Sequence, residues 1–220
     1  MFSSSDLLLL ETKWQLSFFR DNFPSSNVKW FPNNRLSVPT KNQSKTAKKF
    51  FFAGHMRKEK GVDIIIEATK DLSEKCEVYF MGEVVDDFLI DKINEYPHMH
   101  FLGELSHSDL LSKIETFDVL LFPSYYSQEG YPGILVESLF FGKPVIVSKF
   151  RALPELVSNN GYIIEPKSSQ ELKTRVLELI SDEKLFQGMS DAAYVYASKF
   201  DAKFWCKEMI KEIELVRNKE

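Results

Sequence analysis

Cysteine is nearly absent. Cys76 and Cys206 are the only two in 220 residues, too few and too far apart for a disulfide framework or a zinc knuckle, and they fit a reducing compartment in which both stay ordinary thiols. Long apolar runs are missing as well. Nothing approaches the roughly 20 residues that span a bilayer, and Leu7 to Leu10 is too short for the apolar stretch of a signal peptide. The expectation is a cytoplasmic protein without a transmembrane segment, with peripheral contact at a membrane left open. Positive charge is in deficit, with 28 Lys and Arg against 32 Asp and Glu and a formal charge of −4. That balance argues against a protein whose main task is gripping nucleic acid through a basic face. A metal set is lacking too: His98 and His100 alternate like same-face residues of a strand, but no third His or carboxylate stands at ligand spacing. A packed or surface role is expected for both. Neither repeats nor low-complexity tracts stand out.

What is present is ordinary globular material. Hydrophobic residues make up 44% and charged residues 27%, close to average soluble usage, and this length buries one substantial core with a small appendage. One local exception is a basic stretch, Lys41 to Lys60, with seven Lys or Arg and a single acid, Glu59. It reads as a solvated linker or as a place to meet an anion.

The chain opens with a strand (Leu7 to Glu11), an aromatic-bearing helix (Lys13 to Asp21) and a short strand (Val28 to Phe31), one βαβ unit over residues 1–32. Pro, Asn, Ser, Thr and Lys crowd the following segment, a linker over residues 33–48. From residue 49 to 200, apolar strands alternate with helical patterns. Phe50 to Gly54, Glu77 to Gly82, Met99 to Gly103, Asp118 to Ser124, Pro144 to Ser148 and Gly161 to Pro166 read as strands. Helices are expected at Val62 to Leu72, Asp86 to Tyr96, Ser106 to Phe117 and Gly133 to Phe141, then near Ser168 to Ile180 and Asp182 to Ser198. Such alternation specifies an α/β fold with a Rossmann-like, doubly wound parallel sheet. The strands lack period-2 alternation, as expected when both faces are covered. Residues 201–220 form a last helix, capped by Asp201, whose Trp205, Met209, Ile213 and Val216 share one face.

Ligands of such sheets bind beyond the carboxyl ends of the strands. Two motifs fall there. In Glu129 to Ser148, EGYPGILVESLFFGKPVIVS, a turn with Gly130, Pro132 and Gly133 feeds a helix whose first N–H groups make an anion site. Glu137 is the odd member of that apolar helix. A carboxylate so placed needs partners, and a protein cation or ribose hydroxyls would serve equally. In Gly54 to Gly61, GHMRKEKG, Arg57 and Lys60 can each reach a phosphate, although charged loops of this kind are more often simply solvated.

In order, FFAGHMRKEKGVDIIIEA, MHFLGELSHSDL, FDVLLFPSYYSQEGYPGILVESLFFGKPVIVS, ALPELV and GYIIEP resemble the C-terminal domain of glycosyltransferase family 4, a group of retaining GT-B enzymes, over about Lys49 to Asp182. Glu129 and Glu137 match the family's E-x7-E motif. The resemblance implies that Glu137 holds the donor ribose, Glu129 contacts the transferred sugar, and amides around Gly130, Tyr131, Gly133 and Ile134 bind the diphosphate or sugar. It implies that Lys60 neutralises the departing diphosphate without a metal, and that Gly54, His55 and Leu105 line the donor pocket, the loop near Leu105 receiving the nucleotide's base. His55 stands where the family usually has Arg, leaving Arg57 to replace it or a weaker clamp. No cofactor is implied; the donor is a nucleoside diphosphate sugar, UDP-type favoured.

The family's N-terminal, acceptor-binding domain is represented only by the opening βαβ piece, with the last helix crossing back toward it. The expected function is hexose transfer from the nucleotide sugar to an acceptor hydroxyl, in polysaccharide or glycolipid biosynthesis. Full activity would call for a missing N-terminal domain or a separate protein partner supplying it. The alternative is a non-catalytic module that binds a nucleotide sugar or a protein partner.

Overall fold

The computed structural model describes residues 7–36 and 40–218. Residues 1–6, 37–39 and 219–220, which include parts of the expected opening unit, linker and last helix, lie outside the described residues.

Six strands build the main sheet: β3 (Lys49–Ala53), β4 (Glu77–Met81), β5 (Met99–Phe101), β6 (Val119–Phe122), β7 (Val145–Ser148) and β8 (Gly161–Ile164). Their order is β5-β4-β3-β6-β7-β8 and every neighbouring pair is parallel. This is the doubly wound sheet expected from the alternating pattern. Winding reverses between β3 and β6, so a crevice opens beyond their carboxyl ends. Phe50, Phe51 and Phe52 show why β3 sits centrally: all three are fully buried, as a strand covered on both faces requires. Phe51 stacks on Phe117 at 5.2 Å and Phe52 on Phe122 at 5.8 Å. Each such ring contributes roughly 2–3 kcal/mol by leaving water.

The crossovers carry α2 (Val62–Thr69), α3 (Phe88–Asn94), α4 (His107–Thr116) and α5 (Gly133–Phe140), and α6 (Ser169–Ser181) follows the last strand. Next comes α7 (Glu183–Tyr196). Several helix edges differ from the sequence expectation: α2 ends at Thr69 and α3 at Asn94, each short of the expected end, and two further edges have a visible cause. α3 starts later because Asp86 is engaged elsewhere, its Oδ2 accepting from the Lys58 amide at 2.7 Å. α7 ends early because the chain tightens into a 3-10 turn, Ala197–Phe200, before Asp201 caps the next helix through the Phe204 amide at 3.0 Å.

The opening unit consists of β1 (Leu8–Leu10), α1 (Lys13–Asn22) and β2 (Val28–Trp30), with β1 and β2 parallel. A two-stranded sheet is marginal alone, and distant residues hold this one. The Glu155 carboxylate accepts from the amides of Lys13 at 2.8 Å and Trp14 at 2.9 Å, placing negative charge at the amino end of α1 where the helix dipole favours it. On the last helix, α8 (Ala202–Arg217), Trp205 meets Trp30 edge-on at 5.0 Å and Phe31 at 6.0 Å.

The described part of the linker is tied down rather than free. Asp118 accepts from Ser44 Oγ and from the amides of Lys48 at 2.8 Å and Lys49 at 2.7 Å. The fully buried Lys143 donates to Asn42 Oδ1 and to the Glu115 carbonyl, both at 3.0 Å. The basic stretch is therefore divided: Lys48 and Lys49 lie at the start of β3, while Arg57 to Lys60 lie beyond its end. It makes no single patch.

Candidate functional site

A cleft of about 430 Å³ opens where the sheet reverses, beyond β3, β4 and β6. Gly54, His55 and Lys60 line it after β3, Gly82 and Glu83 after β4, and Leu105 beyond β5. On the far side stand Glu129 and the first residues of α5, Gly133 and Ile134, with Glu137 one turn on. Eight of the eleven site residues expected from sequence thus line one cavity.

Lys60 reaches it from a 3-10 turn, Lys58–Lys60, that closes on Gly61 in the left-handed region at φ 81°. A Cβ at Gly61 would overlap the Pro123 carbonyl, so only glycine lets this loop lie against the end of β6. Lys60 Nζ sits 3.0 and 2.9 Å from the two Glu129 oxygens, and the Ser124 hydroxyl donates to Glu129 Oε2 at 2.6 Å. The Lys60 and Glu129 side chains are only 15% and 6% exposed, so the pair is largely shielded from solvent screening. Lys60 also stands 4.9 Å over the Tyr126 ring. Cation and carboxylate are fixed against each other before any ligand enters.

At the start of α5 the amides of Gly133 and Ile134 have no acceptor among the described residues. They face the cleft as free donors at a helix amino end. Glu137 belongs to the same helix and is buried, its Oε1 accepting from Arg35 Nε at 2.8 Å. His107 Nε2 lies 3.9 Å from the same oxygen. Of the two partners left open by the sequence, a protein cation is therefore present.

Three expected residues lie outside the lining. Arg57 turns its guanidinium over Tyr126 at 5.5 Å. The Tyr131 side chain is buried away from the cleft and donates to Glu155, and its amide, next to Gly130, donates to Glu11 at 3.2 Å. Burial and the neighbouring Glu155 push the Tyr131 hydroxyl far up, keeping it a proton donor. His55 does line the cleft, exposed at its mouth and 3.7 Å from Glu83. Arg35 and Ser124 were missed as contributors. Ser124 follows the apolar run of β6 and reads in sequence as no more than a strand end, whereas Arg35 carries no local signal.

His98 is buried on the Thr69 carbonyl at 2.9 Å and His100 pairs with Glu77, so both are structural. Among the described residues, no three His, Cys, Asp or Glu converge as metal ligands, and no helix is long and apolar enough to cross a membrane.

A doubly wound parallel unit with a switch-point cleft and a last helix folded back on an opening βαβ piece has the architecture of one half of a GT-B fold. The family model for glycosyl transferases group 1 matches residues 35–196, and the chain belongs to that family. An uncharacterised glycosyltransferase of Methanocaldococcus jannaschii is 30% identical over 154 residues, covering 68% of this chain and 43% of that protein. The Campylobacter jejuni N,N′-diacetylbacillosaminyl-diphospho-undecaprenol alpha-1,3-N-acetylgalactosaminyltransferase is 28% identical over 115 residues, covering 51% and 30%. Among solved structures, the pneumococcal O-GlcNAc transferase GtfA in complex with UDP and GlcNAc superposes with a TM-score of 0.80 at 22% identity, over 96% of this chain and 45% of that one. The chain spans less than half the length of these relatives.

Proposed function

We propose that this chain is the donor-binding half of a retaining glycosyltransferase of family 4 that transfers a hexose from a nucleoside diphosphate sugar, UDP-type, to an acceptor hydroxyl. The observation that carries this reading is the convergence at one cleft of the Lys60–Glu129 pair, the free amides of Gly133 and Ile134, and Glu137. Each matches one demand of the chemistry. As the bond from the sugar to the diphosphate breaks and the acceptor oxygen takes its place, negative charge collects on the leaving diphosphate, whose oxygen takes the acceptor hydroxyl's proton. Lys60 and the α5 amino end are fixed donors for that charge and need no reorganisation when it develops. Glu129, steadied by Lys60 and Ser124, faces the same space and is assigned to the sugar hydroxyls. Glu137 is assigned to the ribose.

The UDP in the pneumococcal relative's structure and the glycolipid-directed name of the Campylobacter relative support a UDP-type donor and a role in polysaccharide or glycolipid assembly. Acceptor binding and exclusion of water fall to an N-terminal domain, in the same protein or in a partner. Calorimetric titration with UDP and GDP tests the reading: UDP is expected to bind more tightly, and a failure of both at millimolar concentration overturns it.

A further inference from the structure

Arg35 lies far from every motif of the cleft, yet it is the residue that grips Glu137. Its backbone is pinned first: the amide donates to the Phe200 carbonyl at 2.9 Å and the carbonyl accepts from the Ala202 amide at 3.0 Å. Its guanidinium is then committed on one side, Nη1 donating to Asn33 Oδ1 at 2.6 Å and to the Asn34 carbonyl at 2.9 Å. With Nη1 held, the planar fork aims Nε at Glu137 Oε1, 2.8 Å away. Room for this exists because residue 133 is glycine; a Cβ there would overlap Arg35 Nη2. Glu137 Oε1 is thereby occupied, while Oε2 has no partner among the described residues and the carboxylate lines the cleft.

We propose that Arg35 is a positioning residue, which fixes the Glu137 carboxylate so that Oε2 is presented to a ribose hydroxyl of the bound nucleoside diphosphate. The inference rests on the donor-site reading above and adds what makes that site selective. A carboxylate with both oxygens free would rotate and lose entropy on binding. With one oxygen already bonded to a cation, it offers one acceptor in one place. The selectivity for ribose over deoxyribose accordingly depends on a residue that never touches the nucleotide.

The test compares binding of UDP, 2′-deoxy-UDP and 3′-deoxy-UDP by calorimetry in the full chain and its Arg35→Ala, Arg35→Lys and Glu137→Ala variants. The full chain is expected to prefer UDP over at least one deoxy analogue by roughly tenfold, the worth of one hydrogen bond to a charged group. Arg35→Ala is expected to remove that preference while changing affinity for the same deoxy analogue less than about twofold, and Arg35→Lys to restore part of it. The double variant Arg35→Ala/Glu137→Ala should then bind no more weakly than Glu137→Ala alone. Should the alanine variant not fold, Arg35→Met keeps the aliphatic stem and loses the charge. Equal weakening of all three nucleotides by Arg35→Ala or Arg35→Met, or no change in preference while Glu137→Ala abolishes it, overturns the proposal and leaves the donor site standing. Absence of nucleotide binding in the full chain overturns both.

Discussion

Glu129 and Glu137 share a cleft but are held by different cations. Glu129 is bonded through both oxygens to Lys60, and Glu137 through one to Arg35. Replacing Glu137 by alanine is therefore expected to weaken UDP binding about tenfold or more, read by calorimetry. Replacing Glu129 is expected to leave binding within a few-fold and to depress transfer, read as sugar incorporation once an acceptor half is supplied; the reverse pattern would exchange the two roles. Gly133→Ala follows from the same geometry. The new methyl group displaces a flexible guanidinium end rather than backbone, so UDP affinity should fall as Arg35 leaves Glu137, and the melting temperature should fall with it because the buried carboxylate loses its cation. The odd carboxylate in an apolar helix singled out Glu137, and the resemblance to the E-x7-E motif singled out both glutamates, which the structure brings to one cleft. Arg35 was not readable, because its bond to Glu137 joins residues 102 positions apart and no local pattern encodes such a pairing.

The strands and long helices were readable for the opposite reason. Runs such as Phe50 to Phe52 or Val145 to Val147 carry their burial in their own composition. What escaped were the short turns, Lys58–Lys60 and Leu153–Leu156, which are too brief to show a period. The second of these matters because it holds Glu155, whose carboxylate takes both first amides of α1 and the Tyr131 hydroxyl. The α1 helix has no buried residue and displays Trp14 and Phe18 to solvent, so this anchor accounts for much of its attachment. Glu155→Ala is expected to cost roughly 1–3 kcal/mol in urea unfolding. Hydrogen exchange at Lys13 and Trp14 should accelerate while amides of β3 stay protected; equal acceleration in both would mean that α1 is not held separately.

One buried cation couples the linker to the main sheet and makes stability depend on pH. Burial lowers the Lys143 ammonium from its ordinary 10.5 to about 8, against the opposing pull of Asp118 and Glu115. Between about 8 and 10.5 the unfolded chain binds a proton that the folded chain does not, so this group makes stability rise with pH across that window; the cost of burying the charge is fully present below it. Cys76 acts the other way. Burial raises its thiol from 9.0 to about 12, so the stability it contributes below pH 9 is lost as pH rises toward 12. Comparison with Lys143→Met isolates the lysine: from pH 8 to 10 the wild type should gain on the variant by on the order of 1 kcal/mol per pH unit. A constant difference would mean that Lys143 stays charged in the fold.

The opening βαβ piece is secured by Glu155 and Trp205, and that has a consequence during synthesis. Chains emerge from the ribosome amino end first, so β1, α1 and β2 are in the cell before the carboxylate that steadies the helix and before the indole that covers Trp30. This piece therefore settles only after the residues that anchor it, more than a hundred positions later, have been made. Until then it is a short, aromatic-rich segment waiting for its anchors, the interval in which a chaperone has most to cover.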